Sequence, residues 1–247
     1  MGSEKTKMSS EAARLPLFYK QPTPLSPDRH AGKYIRPSTD LSFARETNAI
    51  PITLAEFASV SRHYPIAFVD AVEPFPVAIV GLRKEENLFI NEVGAWTPGV
   101  YIPAYVRRYP FVLLTEDGSD QLTLAIDEAS ERISGSEGAV FFEEDGKPSV
   151  TTADALEFCR SYHSSVKPTE AFAAALEAHG LLASRQTSVT RADGEVFNLS
   201  GFKLVDADKL RQLDAATAKT WLGNGWLMAL HAHQISQHAW SDLADRV

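Results

Sequence analysis

The chain has one cysteine, Cys159, among 247 residues. An intramolecular disulfide framework is therefore excluded, and a reducing compartment fits. Long apolar runs are also missing, since no stretch approaches the roughly 18 consecutive residues of a bilayer-spanning helix. Dense basic runs are confined to the first few residues, and 32 acidic against 24 basic residues give a net charge of −8. Such a balance leaves no electrostatic footprint for nucleic acid or an anionic membrane surface. The opening MGSEKTKMSSEAARLPLF carries charge without the apolar segment of a secretory signal, so a cytoplasmic location is expected.

Recognisable catalytic spacings are missing as well. There is no Gly-X-Ser-X-Gly elbow, phosphate loop, dinucleotide fingerprint or His-X-carboxylate pair. In ALHAHQISQHAW, His231, His233 and His238 invite a metal reading, but a helix points His231 and His233 roughly 200° apart and sets His231 and His238 roughly 10 Å apart. Shared coordination at about 2.1 Å per ligand is then impossible. Cys159, four residues before His163, reads as a small core residue of an amphipathic helix rather than a nucleophile. No catalytic residue, metal or cofactor is expected.

What is present is an ordinary globular composition, 44% hydrophobic and 23% charged. Residues 1–48, rich in Pro, Ser, Thr and charge, read as an N-terminal arm, disordered at first and extended over the body from about Leu25. Tyr34, Ile35 and Phe43 are its docking points. Residues 49–247 read as a single α+β domain. Within it, RHYPIAF from Arg62 and RRYPFVL from Arg107 align without gaps at an offset of about 45 residues. A short helix candidate precedes each Tyr-Pro, and a proline pushes the residue before it out of the helical region. Each unit, 54–98 and 99–146, therefore reads as helix, Tyr-Pro and a three-stranded meander, with NLFINEVG and AVFFEEDG as third strands. Together they predict a mostly antiparallel sheet packed against C-terminal helices.

After residue 146 the period becomes helical. DALEFCRSYHSSV and TEAFAAALEAHGLL predict two helices, with Pro168 near the start of the second and Gly180 as its stop. A hairpin is expected around Asp193-Gly194. The last helix, Trp226 to Asp245, presents Met228, Ala232, Ile235, Ala239 and Leu243 as its core face.

The candidate site lies at the two joints. Arg62, His63 and Tyr64 match Arg107, Arg108 and Tyr109, and Asp127-Glu128 closes the apolar strand LTLAI at the sheet's rim. Guanidinium forks and tyrosine hydroxyls suit an anion or a carbohydrate. The structural alternative has the tyrosines packed at helix-to-strand corners and the arginines paired with Asp127 or Glu128. The other acidic clusters, Glu85-Glu86 and Glu143-Glu144-Asp145, read as solvated turns.

HAGKYIRP, SFARETNAIPITLAEFASVSRHYPIAF, PVAIVGLRKEENLFIN, GVYIPAYVRRYPFVL, LAIDEAS, LSGFKLVD and GWLMALHAH together resemble the SapC family of bacterial proteins. The resemblance covers nearly everything after about residue 20. It implies, by the family's name, an association with surface-layer systems, and by the company its members keep, TonB-dependent uptake. It carries over no catalytic residue. The expectation is a non-catalytic accessory or binding protein of the cell envelope, whose partner is a small molecule or an envelope protein. The alternatives are an enzyme modifying a small molecule or peptide between the sheet and the last helix, and a self-associating structural subunit.

Overall fold

A computed structural model describes residues 15–115, 121–191 and 193–247. The N-terminal segment contributes β1 (Pro22–Pro24), α1 (Pro27–His30) and β2 (Tyr34–Ile35). Then come β3 (Ala49–Pro51), a 3-10 turn (Leu54–Glu56), α2 (Phe57–Val60) and the hairpin β4 (Ile66–Val69), β5 (Pro76–Ile79). A long loop leads to α3 (Ala104–Arg107), the hairpin β6 (Phe111–Thr115), β7 (Leu122–Asp127), and the short β8 (Ile133–Ser134) and β9 (Ala139–Val140). The C-terminal part is α4 (Val150–Ala178), the hairpin β10 (Leu182–Thr190), β11 (Val196–Val205), then α5 (Ala207–Arg211), α6 (Ala215–Gly223), α7 (Trp226–Ser236) and α8 (Ala239–Ala244).

The class is α+β, with three antiparallel sheets among the described residues. One has the order β10-β11-β4-β5-β3, the second β1-β7-β6 and the third β8-β2-β9. The N-terminal segment is thus woven into two of them. Pro22, Thr23 and Pro24 pair with Asp127, Ile126 and Ala125, while Tyr34 and Ile35 run between β8 and β9. The part of the expected arm before residue 15 lies outside the described residues.

The joints resemble each other only locally. Each Tyr-Pro follows one helical turn and opens a hairpin, but Tyr109–Pro110 is cis and Tyr64–Pro65 is not. The hairpins belong to different sheets, and Ile66 faces Ala78 whereas Phe111 faces Ile126 rather than Thr123. The expected third strands do not extend the meanders. NLFINEVG forms turns closed by its asparagines: Asn87 Oδ1 accepts from Phe89 N and Asn91 Oδ1 from Ala95 N, with one bridge between Ile90 and Trp96. Ala139–Val140 pairs with β2 instead of β7. Two equivalent meander repeats are therefore not the architecture.

Two helical expectations also change. The segments on either side of Pro168 form one helix, α4, capped by Ser149 Oγ accepting from Thr152 N. A proline inside a helix loses one backbone bond. Packing offsets that loss, because Cys159 and Tyr162 before it and Phe172, Ala173 and Leu176 after it are all buried. The last helix is divided near Gln237 into α7 and α8, and its expected core face is partly wrong: Met228 and Ile235 are 69% and 60% exposed. The buried side of α7 is Ala229, Leu230, Ala232, His233 and Ser236.

The largest core cluster joins the five-stranded sheet to α2, the second half of α4 and the C-terminal helices through Phe57, Phe68, Phe172 and Leu230. A second, around Ile35, Phe111, Ile126, Phe141 and Cys159, fills the space between the smaller sheets and α4. Tyr19, Tyr109, Val112 and Ala125 form a third beneath the N-terminal segment.

Candidate functional site

Both joint tyrosines are buried, each with its hydroxyl engaged. Tyr64 donates to Tyr101 O at 2.6 Å, accepts from Trp96 Nε1 at 3.0 Å and meets Phe89 edge-on. Tyr109 donates to Asp127 Oδ2 at 3.2 Å, stacks on Phe43 with centroids 4.0 Å apart and meets Tyr19 edge-on. Burial raises both phenol pKa values, so both hydroxyls stay protonated donors.

The basic residues beside them do not converge. Arg62 is exposed, and His63 is partly buried, its pKa lowered by desolvation and then by Arg62 and Arg246. Arg107 lies over the rings of Tyr101 and Phe158, donating to Ile102 O and the Tyr101 hydroxyl. Arg108 sits among Tyr105, Tyr162 and Tyr19, with its guanidinium carbon 4.0, 4.6 and 5.6 Å from their centroids.

Among the described residues neither of these two arginines pairs with Asp127 or Glu128, which corrects the expected rim ion pairs. The carboxylates have other donors. Asp127, fully buried, accepts from Lys20 N, Gln21 N, Ala129 N and Tyr109, and so stitches the N-terminal segment to the end of β7. Glu128 pairs with Arg29 and Lys33 and lies 3.3 Å from His30 Nε2. The Arg29 hydrogen bond holds its carboxyl down to about 2. A third carboxylate that composition did not single out, Glu56, links the joints. It closes a capping box with Thr53 and accepts from the Tyr101 hydroxyl and from Ala104 N at the start of α3.

An open cleft of about 560 Å³ lies where the N-terminal segment, residues 36–46 and the turn 129–132 meet. Of the seven residues singled out in the sequence, Tyr109 alone lines it, with Asp127 fixing the Tyr109 hydroxyl from below. Phe18, Phe43 and Pro37 give it apolar walls; Lys20, Arg36 and Arg132 give it cations. Arg132 is held by backbone alone, Nε donating to Arg36 O and Nη1 to Tyr109 O, each at 3.1 Å. Burial lowers its pKa. Arg36 donates to Glu131 O, and among the described residues none of the three cations pairs with a carboxylate. Asp40, Glu46 and Glu131 also line the cleft, each exposed, and Asp40 is engaged by Ser42 N.

Lys20, Arg36 and Arg132 lie far apart in sequence with no shared spacing, so only the pairing of β2 with β8 brings the two arginines together. Besides Tyr109, Phe43 carried a signal, as an aromatic docking point of the arm. Elsewhere, His233 is buried with its pKa pushed down to about 4 by desolvation, while His231 and His238 are exposed. Burial pushes the Cys159 thiol up to about 11, away from the thiolate a nucleophile needs. Among the described residues no group of three or more His, Cys, Asp or Glu side chains could hold a metal ion, and no helix is long and apolar enough to cross a membrane.

No curated protein and no solved structure matches the chain. The SapC family model matches residues 25–243, and the chain belongs to the SapC family.

Proposed function

We propose that this SapC-family chain is a non-catalytic accessory protein that binds a small molecule for a bacterial cell-envelope or uptake system, and that its ligand site is the cleft beside Tyr109. The observation that supports this reading is a half-buried guanidinium, Arg132, fixed by two backbone carbonyls at the floor of an open cleft with apolar walls. A pre-organised polar group in a concave, partly apolar setting is the usual anatomy of a small-molecule site, and about 560 Å³ lies within the common size range. The envelope setting is part of the proposal and rests on the surface-layer association that the family resemblance implies.

A thermal-denaturation screen of small metabolites tests it, run on the wild type and on Ala129→Trp. Ala129 is exposed and lines the cleft, so a tryptophan there fills the space without entering the core. A true ligand raises the melting temperature of the wild type only. If every stabilising compound acts equally on both proteins, the cleft is not the site.

A further inference from the structure

Among the described residues six charged side chains line the cleft, three of each sign, so net charge does not decide what it takes; solvation does. Lys20, Arg36, Asp40, Glu46 and Glu131 are exposed, so their charges stay in a high-dielectric setting. Arg132 is the one that is partly withdrawn from water, and its partners are neutral carbonyls. A desolvated charge without a counter-ion is unfavourable until an opposite charge arrives, and a guanidinium fork fixed in place loses little freedom on receiving one.

We infer that the cleft binds a small organic anion, a carboxylate or phosphate monoester carried on an apolar or ring-shaped body. This rests on the reading of the cleft as the ligand site. The anionic group sits against Arg132, with Arg36 and Lys20 at the mouth contributing longer-range attraction. The body lies along Phe43, Phe18 and Pro37. Arg132 and the ring wall are each held in place: Arg36 N donates to Arg132 O while Arg132 Nε donates to Arg36 O, and Tyr109 of the Tyr109–Phe43 stack is bonded to Asp127. Held in this way, the fork is oriented before the ligand enters.

Calorimetric titration of the full chain with benzoate, phenyl phosphate, benzyl alcohol and benzylamine tests the inference, at low and at high salt. At least one of the two anions is expected to bind, more weakly as salt rises, while the neutral and cationic analogues do not. Whichever anion binds more tightly identifies the head group. Arg132→Gln should weaken binding by roughly tenfold or more. Because Arg132 also ties two carbonyls together, Lys20→Gln and Arg36→Gln accompany it; these exposed changes leave the fold in place and should each weaken the anion a few-fold. Equal binding of benzyl alcohol and the anions, both blocked by Ala129→Trp, overturns the anion assignment while the cleft reading stands. Anion binding that persists in Ala129→Trp overturns the cleft as well. Binding by none of the four overturns the anion assignment, and the cleft itself is then decided by the metabolite screen.

Discussion

The Tyr109 hydroxyl donates to the carboxylate of Asp127 at 3.2 Å, and Asp127 is fully buried, with no cation paired to it among the described residues. Its charge is balanced by hydrogen bonds, three of them from backbone amides. Asp127→Ala would leave the hydroxyl and the amides of Lys20 and Gln21 without their acceptor, which should cost about 3 kcal/mol or more. Asp127→Asn turns an amide donor toward groups that are themselves donors and should cost about 2 kcal/mol, whereas Tyr109→Phe loses one bond and about 1 kcal/mol. Urea denaturation ranks the three. A wild-type midpoint for Asp127→Ala would remove the stitch between the N-terminal segment and β7.

A second relationship sets a pH dependence. His233 is 1% exposed against Phe68, its Nδ1 has no partner among the described residues, and desolvation holds its pKa at about 4. Its unfolded value is about 6.5. The folded value is depressed, so the unfolded chain takes the proton first, and stability is lost as pH falls from about 6.5 toward 4. By pH 5 this amounts to about 2 kcal/mol. His233→Leu removes the titrating group, and the difference between its stability and that of the wild type should shift in its favour across that window. Parallel pH profiles of the two proteins would show that His233 titrates alike folded and unfolded.

Glu128 acts in a lower window. Its folded carboxyl, at about 2, lies below the ordinary value because of Arg29 first, with Lys33 contributing. The stabilisation is present above about pH 4.5 and fades as pH falls toward 2. Glu128→Gln should therefore be less stable than the wild type at neutral pH and converge with it near pH 2, as followed by circular dichroism. Arg29 is 53% exposed, so the neutral-pH difference is modest and shrinks with salt.

Much of the fold was legible where local chemistry decides it. The β10–β11 hairpin, the helix-to-strand corners at Tyr64 and Tyr109 and the antiparallel character follow from turn residues and from prolines that end helices. The α7 face was not. Its residues are apolar on several sides, and the buried side carries Ser236 beside the start of β4, where Ser236 Oγ accepts from Ile66 N and Gln237 Nε2 donates to Ile66 O, while His233 lies against the Phe68 ring. The expected stripe shares Ala232 with the buried face of α7 but puts Met228 and Ile235 where that face has Ala229, Leu230, His233 and Ser236. The cleft was still less legible, since Arg36 and Arg132 meet through tertiary strand pairing alone.

That correction gives a contrast. Ile235, 60% exposed, should accept aspartate with a change within about 0.5 kcal/mol. Tyr64→Ala, at 0% exposure, empties a large space and strands Trp96 Nε1, costing about 4 kcal/mol. Thermal melts of the two variants should differ widely; the reverse order would restore the outward stripe to the core.

Arg107 and Arg108 are neighbours with opposite expected weights. Arg107 is exposed, so its contacts with Tyr101 and Phe158 are worth about 0.5 kcal/mol. Arg108 joins Tyr19 of the N-terminal segment, Tyr105 of α3 and Tyr162 of α4 in one cage. Partial desolvation strengthens such contacts to about 2 kcal/mol, while its buried, unpartnered Nε works against them by about 1 kcal/mol or more. The attraction wins because three rings share the charge, and the stem also packs. Arg108→Ala should therefore destabilise by about 2 kcal/mol, and Arg108→Met, which keeps the stem and drops the charge, by about 1 kcal/mol. A double-mutant cycle with Tyr162→Leu separates the two contributions. Coupling near 1 kcal/mol is expected for the alanine cycle. If Arg108→Met is as stable as the wild type and the coupling vanishes, the cage is packing alone and its charge contributes nothing.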